Sequence, residues 1–270
     1  MNNYSVLMSV YSKEKPQYLK ESIESILNQT VLTDDFVIVC DGPLTQALDD
    51  VIKQYTEKYP DVIRVIRLKN NEGLGRALNR GMKECKNEVI ARMDSDDISF
   101  PDRCRLELEA INQGYDIVSG SVLEFAEKIE NIISERKLPE HCKDIYIYAK
   151  RRCPFNHPCV MYRKEAVLKA GGYQHFFCFE DYYLWVRMIK NAVKCYNLQN
   201  PVLYMRAGTD MYKRRGGYNY LLSMWRFRTY LLKTGFCGLH DWIITVFGQT
   251  LICIIPARLR EFVYKIFLRS

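Results

Sequence analysis

Val89-Ile90-Ala91-Arg92-Met93-Asp94-Ser95-Asp96-Asp97 joins a short strand-like run to three carboxylates within four residues. Like charges this close repel by about 1 kcal/mol or more per pair at intermediate dielectric, so a positive partner is expected beside them. Carboxylate oxygens are hard ligands, and magnesium or manganese takes one or two of them together with phosphate oxygens and water. For an isolated Asp-x-Asp, a solvated cap before the helix that opens near Pro101 is the simpler explanation. Outward from this stretch the same pattern recurs in Val39-Cys40-Asp41-Gly42-Pro43. Two strand ends thus offer carboxylates to one rim of a sheet, a pairing that the turn chemistry of Asp-Gly-Pro does not explain.

The surrounding chain supports that sheet. Strand-like runs at 5–10, 36–40, 62–68, 89–93 and 116–121 alternate with helical patterns after Pro16, over 46–59, over 74–85 and over 101–112. This rhythm predicts an α/β, doubly wound, mostly parallel sheet flanked by helices, which binds ligands at the carboxyl ends of its strands. Beyond residue 125 the alternation lapses into a hairpin or loop and a short helix over 128–148. A strand at 159–162 and helices at 164–170 and 180–191 follow.

Two further segments carry chemistry. In Asn70-Asn71-Glu72-Gly73-Leu74-Gly75-Arg76-Ala77-Leu78-Asn79 a glycine-bearing turn enters a helix and brings backbone N–H groups near an anion. It matches neither the dinucleotide fingerprint nor a phosphate loop ending in Gly-Lys-Ser/Thr. In Phe179-Glu180-Asp181-Tyr182 acidic residues open an amphipathic helix, where negative charge is favourable on dipole grounds alone. His157, in Asn156-His157-Pro158, reads as a proton carrier, an acceptor contact or a satisfied structural histidine.

Composition bounds the rest. The 270 residues are 48% hydrophobic, enough for a full core, and the net charge is +7. From residue 200 to 270 there are 11 Lys and Arg against 3 Asp and Glu, so the excess sits in the C-terminal quarter. Mixed there with Trp, Phe and Ile, it suits an anionic membrane surface better than nucleic acid. The apolar run 242–255 is too short to span a bilayer and ends at Pro256, before a basic amphipathic helix over 258–269. Packing of 242–255 against the catalytic domain is the competing reading. Ten cysteines without a Cys-x-x-Cys pair, and an opening without a basic signal region, fit a reducing cytoplasm.

An ordered set of motifs resembles the family 2 inverting glycosyltransferases over about residues 4–215. The set comprises Ser5-Val6-Leu7-Met8-Ser9-Val10-Tyr11, Asp41-Gly42, Asn71-x-Gly73 with Ala77 and Asn79, Asp94-Ser95-Asp96-Asp97, Gly171-Gly172-Tyr173 and Glu180-Asp181-Tyr182-x-Leu184-Trp185-x-Arg187. Val202-Leu203-Tyr204-Met205-Arg206 through Arg214-Arg215-Gly216-Gly217 is similar to the subgroup that builds bacterial surface polysaccharides. Tyr11-Ser12-Lys13-Glu14 departs from the Pro-x-Tyr-Asn of many members, which leaves individual contacts of that loop open.

The resemblance implies a GT-A domain over 1–215, and the basic and apolar composition of the tail predicts a helical, membrane-associating extension over 216–270. It implies a nucleotide diphosphate sugar donor, UDP by family habit, and Mn2+ or Mg2+ as cofactor. Asp41 would hold the donor base and Asp94 the ribose, with Ser9, Tyr11, Asn71 and Arg76 also on the donor. Asp96 would hold the metal, assisted by Asp97. Asp181 would deprotonate the hydroxyl of a glycan or lipid-linked acceptor, with Glu180 and His157 as acceptor contacts. The expected setting is the inner face of the cell membrane, with no nucleic-acid partner. A nucleotidyltransferase fits less well, because residues 9–15 hold no glycine for a phosphate loop. A catalytically silent nucleotide-sugar-binding or scaffold protein is the remaining alternative.

Overall fold

The computed structural model describes residues 3–207 and 217–254. Strands β1 (Tyr4–Val10), β2 (Asp35–Cys40), β3 (Ile63–Arg67) and β4 (Val89–Asp94) run parallel in the order β3-β2-β1-β4. Parallel neighbours need crossovers, supplied by α1 (Pro16–Leu27), α2 (Gln46–Lys58) and α3 (Leu74–Glu84). Every residue of Asp-Phe-Val-Ile-Val-Cys in β2 is buried, because helices cover both faces. Val6, Met8, Phe36 and Ile38 pack on one side with α1 and α2, while Leu7, Val37 and Val39 face α3 on the other. Gly81 lets α3 approach this far, since an added Cβ would lie 2.3 Å from Leu7 Cδ1.

The second half of the sheet is mixed. Next to β4 come β8 (Met161–Arg163), antiparallel, then β6 (Ile117–Phe125), which pairs in parallel with β9 (Cys195–Arg206) and antiparallel with β7 (Ile132–Arg136). The two-residue β5 (Ile98–Ser99) lies antiparallel on β9. Helices α4 (Arg103–Asn112), α5 (Cys142–Tyr148), α6 (Lys164–Lys169) and α7 (Glu180–Lys190) complete this half. The helix expected from Pro101 begins at Arg103. The strand expected at 159–162 starts two residues late, because His157–Cys159 is a 3-10 turn with Pro in its first positions. Neither β5 nor β9 was foreseen.

Helices α8 (Tyr218–Lys233) and α9 (Leu239–Ile254) follow. Phe227, Met224 and Leu231 of α8 pack against Phe179, just before α7, and Tyr182 and Val186 within it. The inner side of α9 packs as well: Val246 is 3% exposed, Arg228 Nε donates to Gln249 Oε1 at 3.1 Å, and Asp241 pairs with Arg151 at 2.6 Å. Its outer side leaves Ile243, Ile244, Phe247 and Leu251 in solvent. Packing against the rest of the chain, one of the two readings of this segment, therefore holds for the inner side of the helix. Among the described residues no helix is long and apolar enough to cross a membrane. The basic helix expected over 258–269 and the motif residues Arg214, Arg215 and Gly216 lie outside the described residues.

Candidate active site

Parallel register brings the strand ends together: Ser9 lies opposite Val39 on one side and Asp94 on the other, and Val10 opposite Cys40. Tyr11, Asp41 and the 94–97 turn therefore share one rim. Carboxylate oxygens of Asp94, Asp96 and Asp97 lie within 4.8 Å of one another. Burial, with Asp94 and Glu14 beside it, pushes the Asp96 carboxyl up to about 7, and burial and its two neighbours raise Asp97 well above the carboxylate range. Such mutual repulsion favours a cation that would bring the protons off. The set of hard oxygens fits Mg2+ or Mn2+.

The three carboxylates are not equivalent. Asp94 is held by Arg92 Nη2, and its backbone carbonyl accepts from Ser22 Oγ at 2.7 Å. Asp97, 2% exposed, accepts the Arg206 N–H at 2.8 Å, which ties the turn to β9. Arg206 also donates from Nε to the Asp96 carbonyl at 3.0 Å, pairs with Glu21 at 2.8 Å and lies over the Tyr18 ring. Asp97 is thus a structural clamp as well as a candidate ligand, and half-buried Asp96, whose carboxylate Arg206 does not engage, is the other candidate for holding an ion. Behind β4 the buried pair Arg103–Glu107 fixes the strand, with Arg103 Nη2 donating to the Arg92 carbonyl at 2.6 Å.

Asp41 is 4% exposed, and its carboxylate accepts the N–H groups of Glu72 at 2.7 Å and Gly73 at 3.0 Å. It anchors the Asn70–Arg76 turn. Gly73, at φ +89°, makes that turn possible. Asn71 and Arg76 are exposed on the same turn, and Ser9 is half-buried at the end of β1. An added Cβ on Gly75 would stand 3.3 Å from Tyr173 Cβ and 3.9 Å from Glu180 Cγ, so this turn abuts the start of α7.

There Asp181 Oδ1 accepts its neighbouring Tyr182 N–H at 2.7 Å, and Oδ2 lies 3.8 Å from Cys153 Sγ. Burial raises the Glu180 carboxyl above its ordinary value. His157 Nε2 bonds the Tyr173 hydroxyl at 2.9 Å, and its ring meets Trp185 edge to face. Burial, then the Arg92 charge, pushes its pKa well down, so it is neutral and held by protein partners rather than poised as a proton carrier. Burial pushes the Tyr173 hydroxyl's pKa up, with the Arg92 charge opposing and the Asp181 and Asp94 carboxylates adding to the rise. Its backbone is clamped by Asn79, whose amide bonds Tyr173 N at 2.9 Å and O at 2.7 Å, and Arg187 Nη2 donates to the Gly172 carbonyl at 2.8 Å.

Sequence reasoning overlooked Arg92 and Glu14. Arg92 carried a signal, being a charge inside an otherwise apolar strand that must find a partner when buried. Glu14, in the departing first loop, accepts from Ser95 Oγ at 2.8 Å and adds a fourth carboxylate beside Asp96.

The family model of glycosyl transferase family 2 matches residues 5–171. The chain is 37% identical over 268 residues to the amylovoran biosynthesis glycosyltransferase AmsE of Erwinia amylovora, covering 97% of this chain and 98% of that one. It is 33% identical to the Escherichia coli UDP-Gal:alpha-D-GlcNAc-diphosphoundecaprenol beta-1,3-galactosyltransferase, covering 97% and 95%. Among solved structures it is similar to the mannosyltransferase PcManGT of Pyrobaculum calidifontis in complex with GDP-Man and Mn2+, with TM-score 0.62, 13% identity and coverage of 100% and 88%. The strand-end carboxylates, the GT-A sheet that presents them and the match over most of the chain agree, and this protein belongs to glycosyl transferase family 2.

Proposed function

We propose that this enzyme is an inverting glycosyltransferase of surface polysaccharide assembly, moving a sugar from a UDP-linked donor onto a lipid-linked glycan at an anionic membrane face. The observation that carries the reading is the cluster of Asp94, Asp96 and Asp97 oxygens on the strand-end rim, with the Gly75 turn of that rim abutting Tyr173 and, at the start of α7, Glu180. Donor form, acceptor class and pathway are supported by the names of the two relatives above.

Asp96, with Asp94, would hold Mn2+ or Mg2+, which supplies charge neutralisation for a departing nucleotide diphosphate. Asp41, Ser9, Tyr11, Asn71 and Arg76 bind the nucleotide along the strand-end rim. Asp181 takes the acceptor hydroxyl's proton as that oxygen attacks the anomeric carbon from the face opposite the leaving group, so the configuration inverts. Asp181 is preferred to Glu180 because adjacent residues at a helix start point in different directions, leaving Glu180 as an acceptor contact. Membrane association is supported by the apolar outer face of α9 and the basic excess after residue 200.

The test is nucleotide diphosphate release from UDP-, GDP- and dTDP-linked sugars with a lipid-diphosphate monosaccharide acceptor, in Mn2+, Mg2+ or excess chelator. Acceptor-dependent release that stops in chelator, and an inverted product anomer by NMR, are expected. A retained configuration or full activity in chelator would refute the mechanism.

A further inference from the structure

A groove of about 400 Å3 lies beside the start of α7, away from the carboxylate rim. His175, Phe176 and Phe177 form one wall, and Leu222, Ser223 and Arg226 of α8 form the other. The walls are pinned together, since Ser223 Oγ donates to the Phe177 carbonyl at 2.6 Å and the Phe176 ring packs 5.2 Å from Phe227. Phe177 and Leu222 nevertheless stay 48% and 37% exposed at the mouth.

Two features point to an occupant. Arg226 has no ion-pair partner among the described residues, and the His175 wall reaches the start of α7, with Nδ1 4.0 Å from Glu180 Oε1. From Leu222 an apolar strip continues through Trp225, 44% exposed and bonded through Nε1 to Thr250 of α9, toward Phe247 and Leu251. A free diphosphate would leave the apolar walls in water, and a neutral lipid would leave Arg226 without a counter-charge. One molecule that is anionic at one end and aliphatic at the other satisfies both.

We infer that this groove binds the diphosphate and the first part of the chain of a long-chain lipid diphosphate, presenting the sugar beyond it to Asp181. The inference rests on the lipid-linked acceptor reading above. A volume of about 400 Å3 is near the lower end for small-ligand sites, enough for the headgroup and the start of a chain. The rest of the chain lies along the strip toward the bilayer.

Farnesyl diphosphate, farnesol and inorganic diphosphate are titrated into the full chain in excess chelator, which removes divalent-ion-dependent binding at the carboxylates. Farnesyl diphosphate should bind at least about tenfold more tightly than either fragment, because only it meets both the cation and the apolar walls. Arg226→Ala and the pair Phe177→Ser with Leu222→Ser should each weaken it about tenfold, with UDP binding in Mn2+ and far-UV circular dichroism unchanged. Wild-type affinity in both variants, or inorganic diphosphate binding as well as farnesyl diphosphate, overturns the groove. Transfer to a lipid-diphosphate sugar separates this from the enzymatic reading. A raised acceptor KM in the variants, with kcat and donor KM kept, supports both. Normal acceptor KM with robust transfer removes the groove and leaves the enzyme. Weakened farnesyl diphosphate binding without transfer to any lipid-diphosphate sugar removes the acceptor reading and leaves the groove as a lipid-diphosphate site.

Discussion

Cation binding to the carboxylate turn should strengthen as pH rises through about 7, and the slope follows from the structure. Burial together with Asp94 and Glu14 holds the Asp96 carboxyl at about 7 in the metal-free protein, against an ordinary value of 3.8. An ion needs the carboxylate form, so its apparent affinity scales with the deprotonated fraction. With one such group, about one site in eleven is ready at pH 6 and about ten in eleven at pH 8, roughly a tenfold gain for one proton released. A gain nearer a hundredfold would bring Asp97 into the exchange. The sign reverses for folding. Because the folded metal-free protein binds more protons here than the unfolded chain, this group's contribution falls as pH rises from about 4 to about 7. The thermal shift caused by Mn2+ should therefore grow over the same window. Mn2+ titrations followed by electron paramagnetic resonance at pH 6, 7 and 8, with Asp96→Asn alongside, test the affinity, and thermal melts with and without Mn2+ between pH 4 and 7 test the stability. Equal affinity at pH 6 and pH 8 in the wild type, or undiminished binding in Asp96→Asn, would show that Asp96 is not the ligand.

Asp181→Asn can keep its oxygen on the Tyr182 N–H, so the fold and donor affinity should persist while turnover falls by about 10²–10⁴-fold, measured as kcat at saturating acceptor. Loss of donor binding with turnover retained would move the base elsewhere. Glu107→Gln leaves the fully buried Arg103 without its counter-charge and should destabilise the fold by about 3–5 kcal/mol, whereas Arg103→Met with Glu107→Leu should melt much closer to wild type. Differential scanning calorimetry decides between them; equal melting points for single and double variants would contradict the pairing argument. Phe247→Ser with Leu251→Ser removes two side chains from the outer face of α9, each contributing about 1.5–3 kcal/mol if buried in lipid, so co-sedimentation with anionic vesicles should fall more than tenfold. Unchanged sedimentation with intact circular dichroism would remove α9 from the membrane contact.

What the sequence determined by itself is whatever short-range pattern dictates. Residues 36–40 form an unbroken apolar run and must be a strand covered on both faces, and the crossover lengths then force its neighbours to be parallel. The helix over 218–233 is legible as a continuous pattern between Gly217 and Gly235, each with positive φ. The carboxylates of Asp41, Asp94 and Asp96 at strand ends, and of Asp181 at a helix start, are equally local.

Tertiary structure alone decided how these groups differ. β9 breaks the alternation expected of a strand with Asn197, Gln199, Asn200 and Pro201, and it is a strand because β6 pairs with it and Asn197 donates to the carbonyls of Pro139 and Pro154. Asp96 and Asp97 are adjacent in sequence, yet Arg206, more than a hundred residues away, engages the Asp97 carboxylate directly and leaves that of Asp96 open to an ion. Asp41 turns inward onto the N–H groups of Glu72 and Gly73, a contact between two loops that periodicity cannot register. For α9, composition specified an apolar helix, but which side meets α8 and which meets solvent depended on where Arg228 and Trp225 of α8 bond it. Periodicity reports a residue's face on its own element, whereas charge state and partner are set by groups brought close only when the sheet closes.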